Sequence, residues 1–435
     1  MQQEREPRFS ALIPFGVFLV FYLGLSIRAG DFYSVPMPVA FLIASASAML
    51  INRKVPLERK VEIFAGGMGE SNIMLMCLIF ILAGAFAATA KAMGAVDSTV
   101  LIARHLIPGN LLLAGFFLVS CFISLAIGTS CGTIAALTPI GCGLAAAAGY
   151  APELMLGTVI GGAMFGDNMS MISDTTIAAV RTQQVGMRDK FLMNLKIALP
   201  AAGVVLLIYL FSGKGANVSG GELAPVTWKH ILLVLPYVLV LAGALLGFNV
   251  MSLLFCGTAA SAVIGMLAGD LSIKTVLLEA GKGTLGMSET LIVAILSGGL
   301  LCVIRHNGGI CYLIGRIEKA VSGKRGCEAG VALLVAMVNL FTANNTVAIV
   351  IAGPIARDLS VKYHCDPRRI ASILDATSCV VQGMIPYGAQ ILIAIGVATN
   401  AGLEISSLSL ISTLYYPMFL ALALALSIVL SGKKK

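Results

Sequence analysis

Residues 127–179 read IGTSCGTIAALTPIGCGLAAAAGYAPELMLGTVIGGAMFGDNMSMISDTTIAA, an apolar stretch that two polar segments interrupt. The first polar segment is GTSCGT at 128–133, and the second is GDNMSMISDTT at 166–176. The second segment contains two carboxylates, Asp167 and Asp174. Polar groups are costly inside a membrane and tend to face a cavity there, so both segments are candidate parts of a functional site.

The rest of the chain has the composition of a membrane protein. Its 435 residues are 58% hydrophobic and 11% charged, and its mean hydropathy is +0.96. Apolar runs near the length of a bilayer-spanning helix recur throughout, whereas the period-2 alternation of an outer-membrane barrel is missing. We therefore predict an all-α polytopic membrane protein. The net charge of +8 does not indicate nucleic acid, because the basic residues lie in short loops between apolar runs.

Ten apolar runs are predicted to cross the membrane, at about 10–28, 35–51, 72–91, 155–180, 192–211, 230–246, 249–268, 287–305, 370–398 and 409–431. Two longer segments with polar centres, 111–148 and 328–358, are each predicted to form a re-entrant hairpin, because non-helical backbone survives at depth only against protein or water. The predicted cytoplasmic loops then hold most basic residues, among them Arg181, Arg188 and Lys190. This distribution places both termini in the cytoplasm of a protein of the cell membrane.

The two halves of the chain repeat at an offset of 215 residues, which separates Pro139 from Pro354 and Pro152 from Pro367. Five spans in each half is an odd number, so the halves are predicted to be inverted relative to each other, as in many secondary transporters. The predicted units are a first inverted repeat at 1–211, an external linker at 212–229 and a second inverted repeat at 230–435. Each repeat would contain one hairpin and one broken helix.

Residues 166–176 offer oxygen ligands that suit a cation. An unbroken helix would place Asp167 and Asp174 on one face, about 10.5 Å apart, but the Gly, Asn and Ser residues here weaken a helix. Unwinding would free carbonyl oxygens, which hard cations such as Na⁺ prefer together with carboxylates; a carboxylate in low dielectric can also carry a proton. The alternative is a helix-packing motif. The predicted cation and proton ligands are Asp167, Asp174, Asn168, Ser170, Ser173 and Thr175, with Na⁺ at the two carboxylates.

The hairpin tips are predicted to line one cavity from opposite sides. A helix beginning near Thr133 would direct its N-terminal amides at the cavity, and such amides bind anions. The predicted tip residues are Thr129, Ser130, Thr133, Asn344, Asn345 and Thr346. Residues 128–132 also fit the G-x-S-x-G pattern of hydrolases, but their apolar helical surroundings are not the strand-turn-helix context that this pattern requires. We therefore predict no catalytic residue.

The repeat is chemically asymmetric. At the offset of 215, Asp167 corresponds to Gln382 and Asp174 to Ala389. The second broken helix would unwind around Gln382 and Pro386, since proline removes a backbone donor and kinks a helix. Carboxylate chemistry is therefore predicted to belong to the first half.

Three further carboxylates, Asp375, Glu70 and Glu289, are secondary candidates. Asp375 is either part of the site or a partner of Arg368 or Arg369. Glu70 and Glu289 begin matching spans, where the helix dipole favours a negative charge.

The segment FGDNMSMISDTT at 165–176 closely resembles the signature of the NhaC-type sodium/proton antiporter family. IGTSCGT at 127–133, followed by Pro139, resembles that family's upstream motif. Cys131 and Met171 stand where the family usually has tryptophan and proline. Both hairpin tips resemble those of the wider ion-transporter superfamily, which implies a homodimer with a scaffold domain and a mobile transport domain. Family members also move malate with lactate, or amino acids.

These features predict a secondary active transporter, not an enzyme, that exchanges Na⁺ for H⁺ by alternating access. Na⁺ and H⁺ would be its coupling ions, with no other cofactor, and the lipid bilayer and a small ion or solute its partners. One alternative is Na⁺- or H⁺-coupled transport of an amino acid or a carboxylate such as malate or lactate. Another is a passive channel, which cannot concentrate its substrate.

Overall fold

The computed structural model describes residues 6–29, 36–106, 108, 111–171, 173–212, 225–246, 248–269 and 271–431. These residues form α-helices joined by short turns, with a 3₁₀-helix at Phe9–Leu12 and no β-strand among them. Most of the predicted linker at 212–229 lies outside the described residues, as do the basic residues 433–435.

The first half of the chain folds into the helices α1 Ile13–Ala29, α2 Met37–Leu50, α3 Leu57–Met68, α4 Ser71–Ala92, α5 Ala95–Leu106, α6 Leu112–Ile127, α7 Ser130–Ala148, α8 Pro152–Met169, α9 Asp174–Gln183 and α10 Met187–Ser212. The second half folds into α11 Trp228–Leu245, α12 Val250–Leu267, α13 Ile273–Gly286, α14 Ser288–His306, α15 Gly309–Ala320, α16 Gly323–Thr342, α17 Asn345–Lys362, α18 Pro367–Met384, α19 Ala389–Asn400, α20 Ser407–Ser412 and α21 Tyr415–Ser431.

Within the described residues, 7 helical segments are long and apolar enough to cross a membrane: Ile73–Ala92, Ser130–Ala148, Met187–Ser212, Val250–Leu267, Ile273–His306, Gly323–Thr342 and Pro367–Asn400. Several shorter helices, such as α2 and α21, are equally apolar. The protein is therefore an all-helical, multi-pass membrane protein. Helix α8 is less apolar, and most of its residues are buried.

Each of the ten predicted spans contains a helix, but four helices between the spans were not predicted. These are α3, α5, α13 and α15. They are short, and charged residues alternate with their apolar ones, so a search for long apolar runs does not detect them. The last predicted span also differs, since a turn at Thr413 separates α20 from α21.

Three helices of the second half begin at the repeat offset from three helices of the first half. Helices α17, α18 and α19 begin at residues 345, 367 and 389, each 215 residues after the start of α7, α8 or α9. The offset seen in the prolines thus also separates helix boundaries.

Helix α8 lies directly against α6. A Cβ atom at Gly162 would lie 2.5 Å from the Cβ of Ser120, and one at Gly166 would lie 2.2 Å from the Cβ of Ser124. Small residues four apart let two helix backbones approach this closely. The contact holds the end of α8 that carries Asp167 against the hairpin formed by α6 and α7.

Candidate cation-binding site

The chain unwinds within the second polar segment, between α8 and α9. Helix α8 ends at Met169 and α9 begins at Asp174, and the backbone of Ser170 and Ser173 between them is extended. The Ser173 hydroxyl donates a 2.9 Å hydrogen bond to the carbonyl of Asp167 and accepts one of 3.3 Å from a backbone amide of α9. Serine therefore stabilises the break by satisfying backbone groups on both of its sides.

A second break separates α18 from α19, at residues 385–388, and contains Pro386. Proline cannot donate a backbone hydrogen bond, so the helix does not continue through it.

The two hairpins turn through the same backbone conformation. Gly128 between α6 and α7 has φ 73°, and Ala343 between α16 and α17 has φ 45°. These residues are 215 apart. The left-handed conformation costs nothing for glycine but strains alanine, so the second tip holds its turn against a local preference.

Both tips and the helix ends that flank both breaks line one cavity of about 360 Å³. The predicted site residues that line it are Thr129, Ser130, Asp167, Asp174, Thr175, Asn344, Asn345, Thr346 and Gln382. Apolar side chains of α4 and the start of α12 complete the wall.

Asp167 is the buried carboxylate of this cavity, and only 5% of it is exposed. Its Oδ2 atom accepts hydrogen bonds of 2.8 Å from Ser130 Oγ and 3.5 Å from Asn345 Nδ2. Ser130 and Asn345 are 215 residues apart and begin α7 and α17, so both hairpin tips converge on one carboxylate oxygen. Neither partner is charged. An ionised Asp167 therefore has no positive partner in these contacts, and burying such a charge is costly.

Two glutamine side chains extend this network. Gln390 Nε2 donates a 3.0 Å hydrogen bond to Ser130 Oγ, and Gln382 Nε2 donates to Gln390 Oε1 at 2.8 Å and to the carbonyl of Ala343 at 3.0 Å. Gln390 was not predicted, although the repeat contained the signal. At the offset of 215 it corresponds to Thr175, which was predicted as a ligand.

Asp174 stands in different surroundings from Asp167. It is the first residue of α9 and lines the cavity, but it is exposed. Within the described part of the chain its side chain has no recorded hydrogen bond or ion pair. Both carboxylates were predicted to bind the cation. In the structure Asp167 is buried, whereas Asp174 is exposed.

Several predicted site residues support the cavity wall without lining it: Asn168, Ser170, Ser173, Thr133 and Pro386. Ser170 Oγ donates a 3.0 Å hydrogen bond to a carbonyl of α6, and Thr133 Oγ1 donates one of 3.1 Å to the carbonyl of Thr129. Ser170 and Thr133 thus hold backbone carbonyls next to the first tip.

The structure contradicts the interpretation of Asp375 as a partner of Arg368 or Arg369. Arg368 pairs with Asp366 at 2.9 Å, and this contact lowers the pKa of the Asp366 carboxyl from its usual value. Arg369 forms two hydrogen bonds of 2.7 and 2.9 Å with the buried Glu328.

Asp375 instead pairs with Lys190, and both side chains are sealed from solvent, at 0% and 1% exposed. The placement of Lys190 in a cytoplasmic loop was therefore wrong. Its Nζ atom also donates hydrogen bonds of 2.9 Å to the carbonyl of Asn168 and 2.7 Å to Thr176 Oγ1. Asn194 Nδ2 donates to Asp375 Oδ2 at 3.1 Å and to the same Asn168 carbonyl at 2.9 Å.

Glu70 and Glu289 do not line the site cavity. Glu70 precedes the first residue of α4, and Glu289 lies in the first turn of α14. Both are exposed, and Glu289 lines a separate cavity of about 190 Å³.

Known transporters are similar to this chain over most of its length. The malate-2H⁺/Na⁺-lactate antiporter of Bacillus subtilis is 25% identical over 98% of this chain and 95% of its own length. The Na⁺/H⁺ antiporter NhaC of Bacillus subtilis is 25% identical over 74% of this chain and 76% of its own. The arginine/ornithine antiporter ArcD of Halobacterium salinarum is 24% identical over 62% of each chain. The profile of the Na⁺/H⁺ antiporter family matches residues 12–214 and 218–433, and the chain therefore belongs to this family.

Proposed function

We propose that this protein exchanges Na⁺ for H⁺ by alternating access and that Asp167 is the group that binds the two ions in turn. The observation that carries the proposal is the surroundings of Asp167: a buried carboxylate that faces a cavity and, among the described residues, accepts hydrogen bonds from the neutral donors Ser130 and Asn345. Bound Na⁺ or a bound proton would each remove the cost of the buried charge. One carboxylate that holds either ion, but not both, is the simplest device for exchange.

The ligands of a Na⁺ ion would come from both halves. The carboxylate of Asp167 would supply the charge, and the hydroxyl of Ser130 and oxygens of Thr129 and Asn345 would supply neutral ligands of the kind that hard cations prefer. Because Asp167 contacts both tips, binding there would respond to any movement of one tip relative to the other.

Contacts between helix ends support the proposed arrangement of sides. The backbone amide of Arg8 donates to the carbonyl of Gly308 at 3.3 Å, and Asn52 Nδ2 donates to Asn307 Oδ1 at 3.0 Å. All four residues lie at span ends that the basic loops assign to the cytoplasm.

Residues assigned to the outside also meet one another. Lys91 Nζ donates a 2.8 Å hydrogen bond to the carbonyl of Ala401, and Thr413 Oγ1 donates one of 2.8 Å to the carbonyl of Glu153. These contacts support two inverted repeats, at 1–211 and 230–435, with re-entrant hairpins on opposite sides and both termini in the cytoplasm of the cell membrane. A cysteine at position 219 should then react with an impermeant reagent from outside only, and labelling from the cytoplasm alone would contradict the topology.

Transport by the purified protein in proteoliposomes tests the proposal directly. An outward proton gradient should drive ²²Na⁺ into the vesicles above its external concentration, and an imposed Na⁺ gradient should move protons in the opposite direction. A channel would only equalise Na⁺. Na⁺ uptake that never exceeds equilibrium would therefore overturn exchange.

A second candidate function is coupled transport of a small organic carboxylate. Two observations favour it: the cavity volume lies within the range of small-molecule sites, and the amides at the start of α7 have no side-chain cap, since Thr129 forms no capping hydrogen bond. At the other tip, Asn344 Oδ1 already accepts from the amide of Val347 at 3.0 Å. The carboxylate would therefore bind at the first tip.

A thermal-shift screen separates the two candidates, because a ligand that binds the folded state raises its melting temperature. Na⁺ and Li⁺ alone should stabilise an ion exchanger. Malate, lactate or an amino acid that stabilises only in the presence of Na⁺ would favour the solute transporter.

A further inference from the structure

A fully buried lysine lies at the break between α8 and α9. Lys190 Nζ contacts three oxygens: the carbonyl of Asn168 at the end of α8, the hydroxyl of Thr176 at the start of α9, and the carboxylate of Asp375 on α18. An ammonium group has three N–H donors, so the three acceptors match its hydrogen-bonding capacity.

These three oxygens are also of the kinds that bind metal cations. A carboxylate, a hydroxyl and a carbonyl at a helix end are the oxygen types that hard metal cations prefer. The Asn168 carbonyl is available because backbone acceptors in the last turn of a helix have no partner within the helix. The ammonium therefore occupies the position that a metal cation would take among these oxygens.

The charges of the region assign different roles to its two buried carboxylates. Lys190 neutralises Asp375 inside the protein, whereas the contacts of Asp167 are neutral. Asn168, whose carbonyl Lys190 binds, follows Asp167 directly in the chain. Among the described residues, Lys190 thus neutralises Asp375, while Asp167 stays buried with hydrogen-bond partners that carry no charge.

We propose that Lys190 is a tethered cation that fills a second cation site, formed by Asp375, the Asn168 carbonyl and the Thr176 hydroxyl, and so limits the protein to one exchangeable cation. This second cation site, which we call the cage, rests on the contacts of Lys190. The choice of Na⁺ as its metal counterpart, and of Asp167 as the exchangeable site, rests on the proposed function.

Two substitutions of Lys190 test this. Lys190→Ala removes the charge and leaves room for an ion, whereas Lys190→Met removes the same charge but fills the space with an apolar chain. Both variants should melt well below wild type in choline chloride. NaCl at equal ionic strength should restore the Ala variant by a larger shift in melting temperature than it gives wild type or the Met variant.

Equilibrium binding of ²²Na⁺ gives the second readout. We expect one ion per chain in wild type, one in Lys190→Met and two in Lys190→Ala, and Asp375→Asn in the Ala background should remove the added ion. Equal Na⁺ counts or equal Na⁺ rescue in the Ala and Met variants would overturn the proposal. So would failure to isolate folded Lys190→Ala in NaCl, because Na⁺ is expected to replace the ammonium.

The Asp167→Asn background separates this proposal from the function proposed above. There, Lys190→Ala should still bind one Na⁺, at the cage. If wild type binds no Na⁺ but the Ala variant binds one, the cage is supported and Asp167 is not the Na⁺ site. If wild type binds one and the Ala variant gains none, the cage is refuted and Asp167 stands.

Discussion

Asp167 and Asp375 are both buried carboxylates near the break between α8 and α9, and their partners differ. Asp167 faces a cavity and accepts hydrogen bonds from Ser130 and Asn345. Asp375 does not line that cavity and pairs with Lys190. The break itself connects the two regions, since Lys190 binds the carbonyl of the residue after Asp167.

Burial alone therefore does not distinguish the two carboxylates. A buried carboxylate with a lysine partner is already neutralised and has little need of an ion from solution. A buried carboxylate with neutral partners does need one. The two carboxylates differ in their internal counter-charge, which Asp375 has and Asp167 lacks in these contacts. Substitutions at the two positions should therefore have different effects.

Asp167→Asn should have the largest effect on transport. The amide keeps the size and much of the hydrogen bonding of the carboxylate, but it has no charge to balance Na⁺ and no proton to exchange. We expect exchange in proteoliposomes to fall to the rate of empty vesicles, while the protein remains folded and gains stability because a buried charge is removed.

Size-exclusion profiles and melting temperatures of the reconstituted sample supply the control for folding. Wild-type dependence on Na⁺ and proton gradients in Asp167→Asn would move the ion site elsewhere.

Asp375→Asn should have the largest effect on stability. It leaves the Lys190 ammonium buried without a counter-charge, which costs about 3–5 kcal/mol when one partner of a buried pair is lost. The melting temperature should fall accordingly, and Lys190→Met in the same chain should restore much of the loss.

A pair at the start of the same helix provides the matched control. Asp366 and Arg368 are partly exposed, and such pairs contribute about 0–1 kcal/mol, so Asp366→Asn should change melting only slightly. Equal melting of Asp375→Asn and Asp366→Asn would show that burial of the Lys190 pair has no energetic consequence.

The sequence predicted most side chains around Asp167 but little of the region around Asp375. Each apolar run predicted as a span contains a helix, and the helix-weakening residues and prolines located the segments where α8 and α18 end, because both signals are local. Lys190 follows Arg188 and Asp189 and therefore has the pattern of a loop residue. Its partner lies 185 residues away, and no local pattern predicts a pair so distant. Gln390 was within reach, had the offset of 215 been applied to Thr175.

Ser130→Ala should have an intermediate effect that is confined to the Asp167 region. It removes a donor to the carboxylate and the acceptor for Gln390. In the proposed site the Ser130 hydroxyl is also a ligand of the bound ion, and loss of one ligand should lower the apparent affinity for Na⁺ by about tenfold, which corresponds to about 1.4 kcal/mol. Na⁺ titration of the melting temperature measures this.

Ser124→Ala is the control for this substitution. Ser124 lies on α6, six residues before Ser130, and is fully buried against α8, but it donates to the Ala163 carbonyl and does not line the cavity. Its loss should leave Na⁺ affinity close to wild type. Equal losses of affinity in the two variants would assign the effect to helix packing rather than to the Asp167 network.

Asp174→Asn should have the smallest effect, and ionic strength should reveal its nature. Asp174 is exposed at the start of α9 and lines the cavity, so its charge can attract cations without holding them. Exposed charges are screened over about 10 Å at 0.1 M salt. We therefore expect Na⁺ uptake to fall by about two- to threefold at low ionic strength and to approach wild type when choline chloride is added.

The defect of Asp167→Asn should persist at every salt concentration, because added salt cannot replace a binding group. Loss of exchange in Asp174→Asn that choline chloride does not relieve would make the exposed carboxylate a second binding group, and a buried position without a counter-charge would then no longer distinguish the exchange site.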